Sequence, residues 1–373
     1  MKRIQTSRII KDLAKKMVFL AGPRQVGKTF MSKQVATADK QPLYLNYDSL
    51  EDRVIINTQA WLEKIDLLIL DELHKMPDWK NFLKGVYDTK PLHLHILVTG
   101  SARLDIFDKL GDSLAGRYYL HRLLPLSAAE LKQLDQPVDF NRLMQRGGFP
   151  EPYLDDNDIE ADRWRMQYSN SLLATDIFDF DKVQNVKALR LIFELLRAKV
   201  GSPVSYQSIA EDVGVSAMTV RKYIEILEAL YIVFRVSPFS NNIARSLLKE
   251  PKIYFFDSGL VTGGEGAQLE NTVAVSLLKH VYAKNDYLAE AYTLHYLRTK
   301  DGLEVDFALC KDKQIKEIIE VKLSDKEIDK SLYTFSTKYH LPAIQLVKNL
   351  RLERKVGDIR VMKVVDYLSD LML

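Results

Sequence analysis

The chain has 373 residues, 47% hydrophobic and 28% charged, which excludes a disordered polymer and calls for two or three domains. Its net charge of +3 excludes a globally basic nucleic-acid binder, so any such surface must be a local patch. One cysteine, Cys310, excludes an intrachain disulfide framework and fits a reducing cytoplasm.

The basic start Met1-Lys-Arg lacks a following apolar run of signal-peptide length. Charges interrupt every later apolar run before the ~20 residues a bilayer span needs, so no membrane partner is expected. Met17-Val-Phe-Leu20 reads as a buried strand, and Gly22-Pro23-Arg24-Gln25-Val26-Gly27-Lys28-Thr29 follows it, with Phe30 entering a helix. That strand–loop–helix context marks a phosphate-binding loop. Its glycines let backbone N–H groups turn inward toward phosphate oxygens, and the helix N-terminus adds positive field. Lys28 then reaches the β- and γ-phosphates of ATP, and the Thr29 hydroxyl is placed for Mg²⁺.

Ile65–Leu70 is an apolar strand that delivers Asp71 and Glu72 at its tip. The first acid is expected in the Mg²⁺ shell, and the second is placed to act as general base on the attacking water. Leu94–Val98 repeats the pattern and ends in Thr99-Gly100-Ser101-Ala-Arg103. Ser101, with Arg103 as the alternative, is expected to sense the γ-phosphate or to serve only as turn chemistry. Arg117, in Leu114-Ala-Gly116-Arg117-Tyr118, is a candidate arginine finger that acts in a homo-oligomer, or else a surface arginine. Strands near 17–21, 42–47, 65–70, 94–99 and 118–124 alternate with helices, which predicts an α/β parallel sheet covered on both faces. Ligands are then expected at the strand carboxyl ends.

G-P-R-Q-V-G-K-T, L-I-L-D-E, V-T-G-S-A-R and L-A-G-R-Y, in that order, resemble the prokaryotic AAA-type ATPases of uncharacterised role that carry a C-terminal domain of unknown function. The resemblance covers essentially the whole chain, including Gly147-Gly-Phe-Pro-Glu-Pro. It implies ATP binding, Mg²⁺ dependence and an additional-strand P-loop NTPase fold.

Ser127-Ala-Ala-Glu130 reads as a capping box that opens a helix. Val204–Ala210, a turn at Asp212–Ser216 and a longer helix at Ala217–Leu230 make a helix-turn-helix, with Ile209, Ala210, Val215, Val220 and Ile224 inside. Ile232–Val236 and Lys252–Phe256 are expected wing strands of a winged helix. Met218, Thr219, Arg221 and Lys222 are left to face double-stranded DNA or, alternatively, a protein partner. Residues 187–256 hold ten Lys or Arg against six Asp or Glu, a modest basic bias.

Near the end, Leu294–Arg298, Thr299–Gly302 and Leu303–Leu309 read as a hairpin with Glu304 and Asp306 on one face, followed by a strand carrying Glu320 and Lys322. An Asp and then Glu-x-Lys on the adjacent strand resembles the metal-dependent nuclease core with the PD-(D/E)xK pattern. That resemblance implies that Asp306 and Glu320 share a divalent metal, that Lys322 assists, and that Glu270 supplies a further carboxylate. An exposed salt-bridged face is the alternative.

The expected domains are a P-loop ATPase at 1–145, a helical connector at 146–186, a winged helix at 187–260 and a small nuclease-like α/β domain at 261–373. The expected function is an Mg²⁺-dependent ATPase whose cycle controls a C-terminal half acting on DNA. The alternative is a slow ATP-controlled switch that binds DNA or a protein, with an inert nuclease-like domain.

Overall fold

The computed structural model describes residues 3–37, 41–61, 64–100, 114–173, 185–240 and 249–373. The chain forms two compact units, Met1–Leu124 and Pro125–Leu373.

The first unit holds β1 (Met17–Ala21), β2 (Pro42–Asn46), β3 (Leu67–Asp71), β4 (His95–Gly100) and β5 (Tyr118–Arg122) in one sheet of order β2-β3-β4-β1-β5. All of its pairings are parallel. β4 lies between the strand that feeds the phosphate loop and the strand that carries Asp71, which is the additional-strand arrangement the resemblance implied. Every residue of β1 and β3 is buried, as parallel strands are when both sheet faces are covered. Met17, Phe19, Leu68 and Leu70 pack with Trp79, Leu83 and Val86 of the helix Trp79–Thr89. Val18, Leu20 and Ile69, one residue out of phase, are buried on the other face. Side chains buried this completely contribute about 1.5–3 kcal/mol each, so the sheet is a rigid base for its loops.

A helix at Thr6–Leu13, not foreseen from the sequence, brings the N-terminal segment back onto the domain. Arg3 just before it is 5% exposed and donates to the carbonyls of Val26 (2.9 Å) and Leu124 (2.6 Å).

In the second unit β6 (Val233–Pro238), β7 (Lys252–Phe255), β8 (Tyr292–Arg298), β9 (Glu304–Lys311), β10 (Gln314–Ser324), β11 (Ala343–Asn349), β12 (Arg354–Val356) and β13 (Ile359–Lys363) form one sheet of order β12-β13-β11-β10-β9-β8-β6-β7. The helix-turn-helix is present as Tyr206–Val213 and Ala217–Ala229. Gly214 turns the chain at φ +73°, and Ser216 caps the second helix by accepting from Thr219 N–H at 3.1 Å. Ile209, Ala210, Val220 and Ile224 are buried as expected, whereas Val215 is only partly so.

The two strands expected to form a wing, β6 and β7, pair antiparallel, with Val236 opposite Lys252. β6 also pairs in parallel with β8 at Ser237↔His295 and Pro238↔Tyr296. A lone two-stranded pair is marginal in water, and this pairing makes β6 and β7 the edge of the larger sheet. The boundaries expected at 145/146, 186/187 and 260/261 all fall inside this unit.

Ser127 caps its helix by accepting from Glu130 N–H at 3.4 Å, the N-cap bond of the expected capping box. The Glu130 carboxylate is paired with Lys279 of the long helix Glu265–Leu288, and both residues are buried.

Candidate active site

β1 ends at Ala21, and the loop that follows is shaped by its glycines. Gly22 has φ +153°, and a Cβ there would stand 2.1 Å from the Leu123 carbonyl oxygen, so no side chain fits. Gly27, at φ +98°, is the left-handed residue that opens the helix Lys28–Ala36. Gln25 also takes positive φ (+60°), and the Val26 carbonyl is held by Arg3. The Lys28 ammonium folds back over the loop, donating to the carbonyls of Gly22 (2.9 Å) and Pro23 (2.7 Å). Burial lowers its pKa to about 8, against the raising influence of Glu72 and Asp71 and with a small further lowering from Arg24. Phe30, the third residue of the helix, is exposed.

The strand register brings the acids to this loop. Asp71 pairs with Asn46 of β2 and Thr99 of β4, at the carboxyl end of the sheet. Its carboxylate accepts from Thr29 Oγ1 (3.0 Å), Tyr44 Oη (2.6 Å), Thr99 Oγ1 and the Glu72 N–H (3.1 Å). Charged acceptors with several donors hold their orientation well. Glu72 takes φ +53°, which turns the chain out of the strand, and its N–H also reaches the Thr99 carbonyl at 3.1 Å. Glu72 Oε2 is buried without a hydrogen-bond partner, with His74 Nδ1 at 3.5 Å. Burial raises the Glu72 pKa, opposed chiefly by Lys28.

Lys28, Thr29, Asp71 and Glu72 are therefore brought together. Ser101 and Arg103 lie outside the described residues. Arg117 precedes β5 at the opposite end of the sheet: its neighbour Tyr118 pairs with Met17, the first residue of β1. A strand length, roughly 13 Å, separates that end from the loop. There Arg117 makes a two-pronged ion pair with Asp88, at 2.8 and 3.1 Å. Sequence reasoning missed Tyr44, Thr99 and Arg3. Thr99 and Tyr44 become visible only once β2, β3 and β4 are aligned in register, and Arg3 carries no local signal.

In the second unit the pairing Ile319↔Phe307 sets Glu320 beside Asp306. Glu320 accepts from the Asp306 N–H (3.3 Å) and from Lys322 Nζ (2.7 Å), and Asp306 Oδ2 accepts from the Val321 N–H (2.9 Å). Lys322 also pairs with Asp329 at 3.0 Å. Glu270 joins them from the helix Glu265–Leu288, so all four expected side chains converge. A residue not singled out, Lys252 of β7, stands among them: its Nζ is 2.9 Å from Glu304, 3.2 Å from Glu270 and 3.3 Å from Asp306. Burial, with Asp306 beside each, pushes the carboxyl pKa values up, to about 7 for Glu270 and about 8 for Glu320. Among the described residues no group of three or more His, Cys, Asp or Glu is arranged to hold a metal ion. None of the described helices is long and apolar enough to cross a membrane.

On the helix Ala217–Ala229, Met218 is 71% exposed and Thr219 and Lys222 are partly exposed. Arg221 is exposed and pairs with Glu225 at 3.1 Å, one turn along.

A parallel sheet with a fourth strand between the phosphate-loop strand and the acid-bearing strand defines a P-loop NTPase of the additional-strand type. Family comparison agrees: residues 14–132 match an AAA domain, and residues 138–270 and 265–367 match two domains of unknown function. Along the chain, a match to an AAA domain is thus followed by matches to two domains of unknown function. An uncharacterized protein of Mycobacterium tuberculosis is 26% identical over 246 residues, 66% of this chain. The chain spans about half (55%) of that relative's length. An uncharacterized protein of Haemophilus influenzae is 23% identical over 94% of this chain and 93% of its own length. Among solved structures, a Walker-type ATPase of Pyrococcus abyssi covers 69% of this chain and 94% of its own, with 12% identity and a TM-score of 0.44. At that score the fold assignment rests on the strand order and the family match.

Proposed function

We propose that the chain is an Mg²⁺-dependent ATPase whose nucleotide cycle governs its C-terminal half. The observation that carries this reading is the convergence of Lys28, Thr29, Asp71 and Glu72 at the carboxyl ends of β1 and β3. Residues 22–30 wrap the phosphates, with loop N–H groups and the helix N-terminus stabilising their charge. Lys28 leaves its carbonyl partners for the β- and γ-oxygens. Thr29 Oγ1 and the Asp71 carboxylate are a hydroxyl and an acid 3.0 Å apart, an oxygen donor pair that suits Mg²⁺. The ion, when bound, neutralises phosphate charge. Tyr44 and Thr99 keep the Asp71 carboxylate aimed at Thr29.

Glu72 orients the attacking water and takes its proton. Its raised pKa makes it a stronger base than an exposed glutamate, while Lys28 keeps it ionised. Duplex DNA is the proposed ligand of the C-terminal half, read by Met218, Thr219, Arg221 and Lys222. The exposure of Met218 and Arg221, and the partial exposure of Thr219 and Lys222, on a capped second helix support this.

The test is phosphate release from ATP with and without duplex DNA. Lys28→Ala should abolish nucleotide binding, and Glu72→Gln should leave binding intact and slow hydrolysis ~10²-fold or more. Parent-like turnover in both variants would dispose of the site assignment. A turnover indifferent to DNA would remove DNA as the ligand and leave the ATPase reading standing.

A further inference from the structure

We propose that Lys252 takes, as a permanent part of the chain, the place a divalent cation holds in nucleases of the Glu-x-Lys pattern, so that the C-terminal acidic cluster is a metal-independent charge lock.

Three observations lead there. First, Lys252 is fully buried, and its ammonium lies 2.9–3.3 Å from carboxylates on two elements: Glu270 of the long helix, and Glu304 and Asp306 of β9. One positive centre shared by several acids is what a bound cation would provide. The Tyr296 ring adds a cation–π contact, its centroid 5.5 Å from Nζ.

Second, the oxygens a metal would need are already committed to nitrogen or hydroxyl donors. Tyr254 Oη donates to Glu270 Oε1 at 2.6 Å. Asp306 Oδ2 takes the Val321 N–H, and Glu320 takes the Asp306 N–H and Lys322. Arg298 stands 3.4 Å from the far oxygen of Glu304. A divalent ion would have to displace these donors and lie beside a buried like charge that cannot withdraw to water.

Third, the residue sits where the lock has a use. Lys252 is on β7, the edge strand, which pairs in the sheet with β6. Through Lys252 and Tyr254 it is tied across β6 and β8 to β9 and to the helix Glu265–Leu288. Gly201 in the loop before the helix-turn-helix completes the packing: a Cβ there would stand 2.5 Å from Glu270 Oε2. The wing and the nuclease-like sheet are in this way closed around one buried ammonium group.

The test uses the full chain without nucleotide, with Mn²⁺ as the probe and electron paramagnetic resonance as the readout. The parent and Asp306→Asn should bind the same amount of Mn²⁺, and neither should cut duplex DNA. Lys252→Ala, which leaves the acids unbalanced, should gain a Mn²⁺ site at least ~10-fold tighter than any shared by those two proteins. That site should vanish in Lys252→Ala/Asp306→Asn. Mn²⁺ bound by the parent and lost in Asp306→Asn or Glu320→Gln overturns the proposal, as does a folded Lys252→Ala with no new site. If Lys252→Ala folds only when Mn²⁺ is present, that counts as the gained site. If it folds in neither condition, the comparison of parent with Asp306→Asn decides.

Discussion

Lys28 offers a quantitative test because its charge is held in a buried place. Burial lowers its pKa to about 8, whereas the phosphates of a bound nucleotide would raise it well above that value. A group whose bound pKa exceeds its free pKa contributes affinity that is fully present below the free value and is lost as pH rises through and beyond it. The window therefore opens near pH 8 and extends upward. With the bound ammonium protonated throughout the range, the proton uptake linked to binding costs about tenfold in affinity between pH 7 and pH 9, or about 1.4 kcal/mol. The assay is equilibrium titration with a fluorescent ADP analogue in the presence of chelator, at matched ionic strength, every half pH unit. Lys28→Arg, whose guanidinium stays charged throughout, should bind more weakly but lose the slope. A parent whose affinity is flat from pH 7 to 9, or an arginine variant with an equal slope, would show that the buried ammonium does not face the phosphates.

Gly22→Ala places a Cβ against the Leu123 carbonyl at 2.1 Å in left-handed backbone, so it should lower thermal stability by a few kcal/mol and abolish nucleotide binding; an unchanged Tm and affinity would mean the loop is more pliant than its geometry implies. Arg117→Ala removes the pair with Asp88 at the far end of the sheet and should leave nucleotide affinity unchanged. If Arg117 serves a neighbouring subunit as an arginine finger, mixing this variant with Lys28→Ala should restore turnover, and no rescue on mixing would leave it a structural arginine.

Strand existence and order of appearance were legible in the chain because buried parallel strands are unbroken apolar runs, and the runs at 17–21 and 67–71 are of strand length and bounded by turn and loop residues. The phosphate loop was legible for a related reason: its chemistry is carried by consecutive residues whose spacing is the geometry. Glu304 and Asp306 on one strand face, with Glu320 beside them, followed from the period of two and a hairpin turn. Local sequence also named the caps at Ser127 and Ser216.

What the tertiary structure decided is everything that depends on register between distant segments. Asp71 acquires Tyr44 and Thr99 from strands 27 and 28 residues away, and no spacing rule predicts a tyrosine at that position. Arg3 reaches the phosphate loop from 23 residues upstream, because a helix not evident in the sequence folds the N-terminus back. Lys252 read as one more charge on a wing strand. Only the pairing of β6 with β8 carries it to acids 18 and 54 residues further on. Short-range periodicity records which face of a strand is apolar, but not which charged side chain on another strand will meet it, since that is settled by sheet order and by the cost of burying charge without a partner.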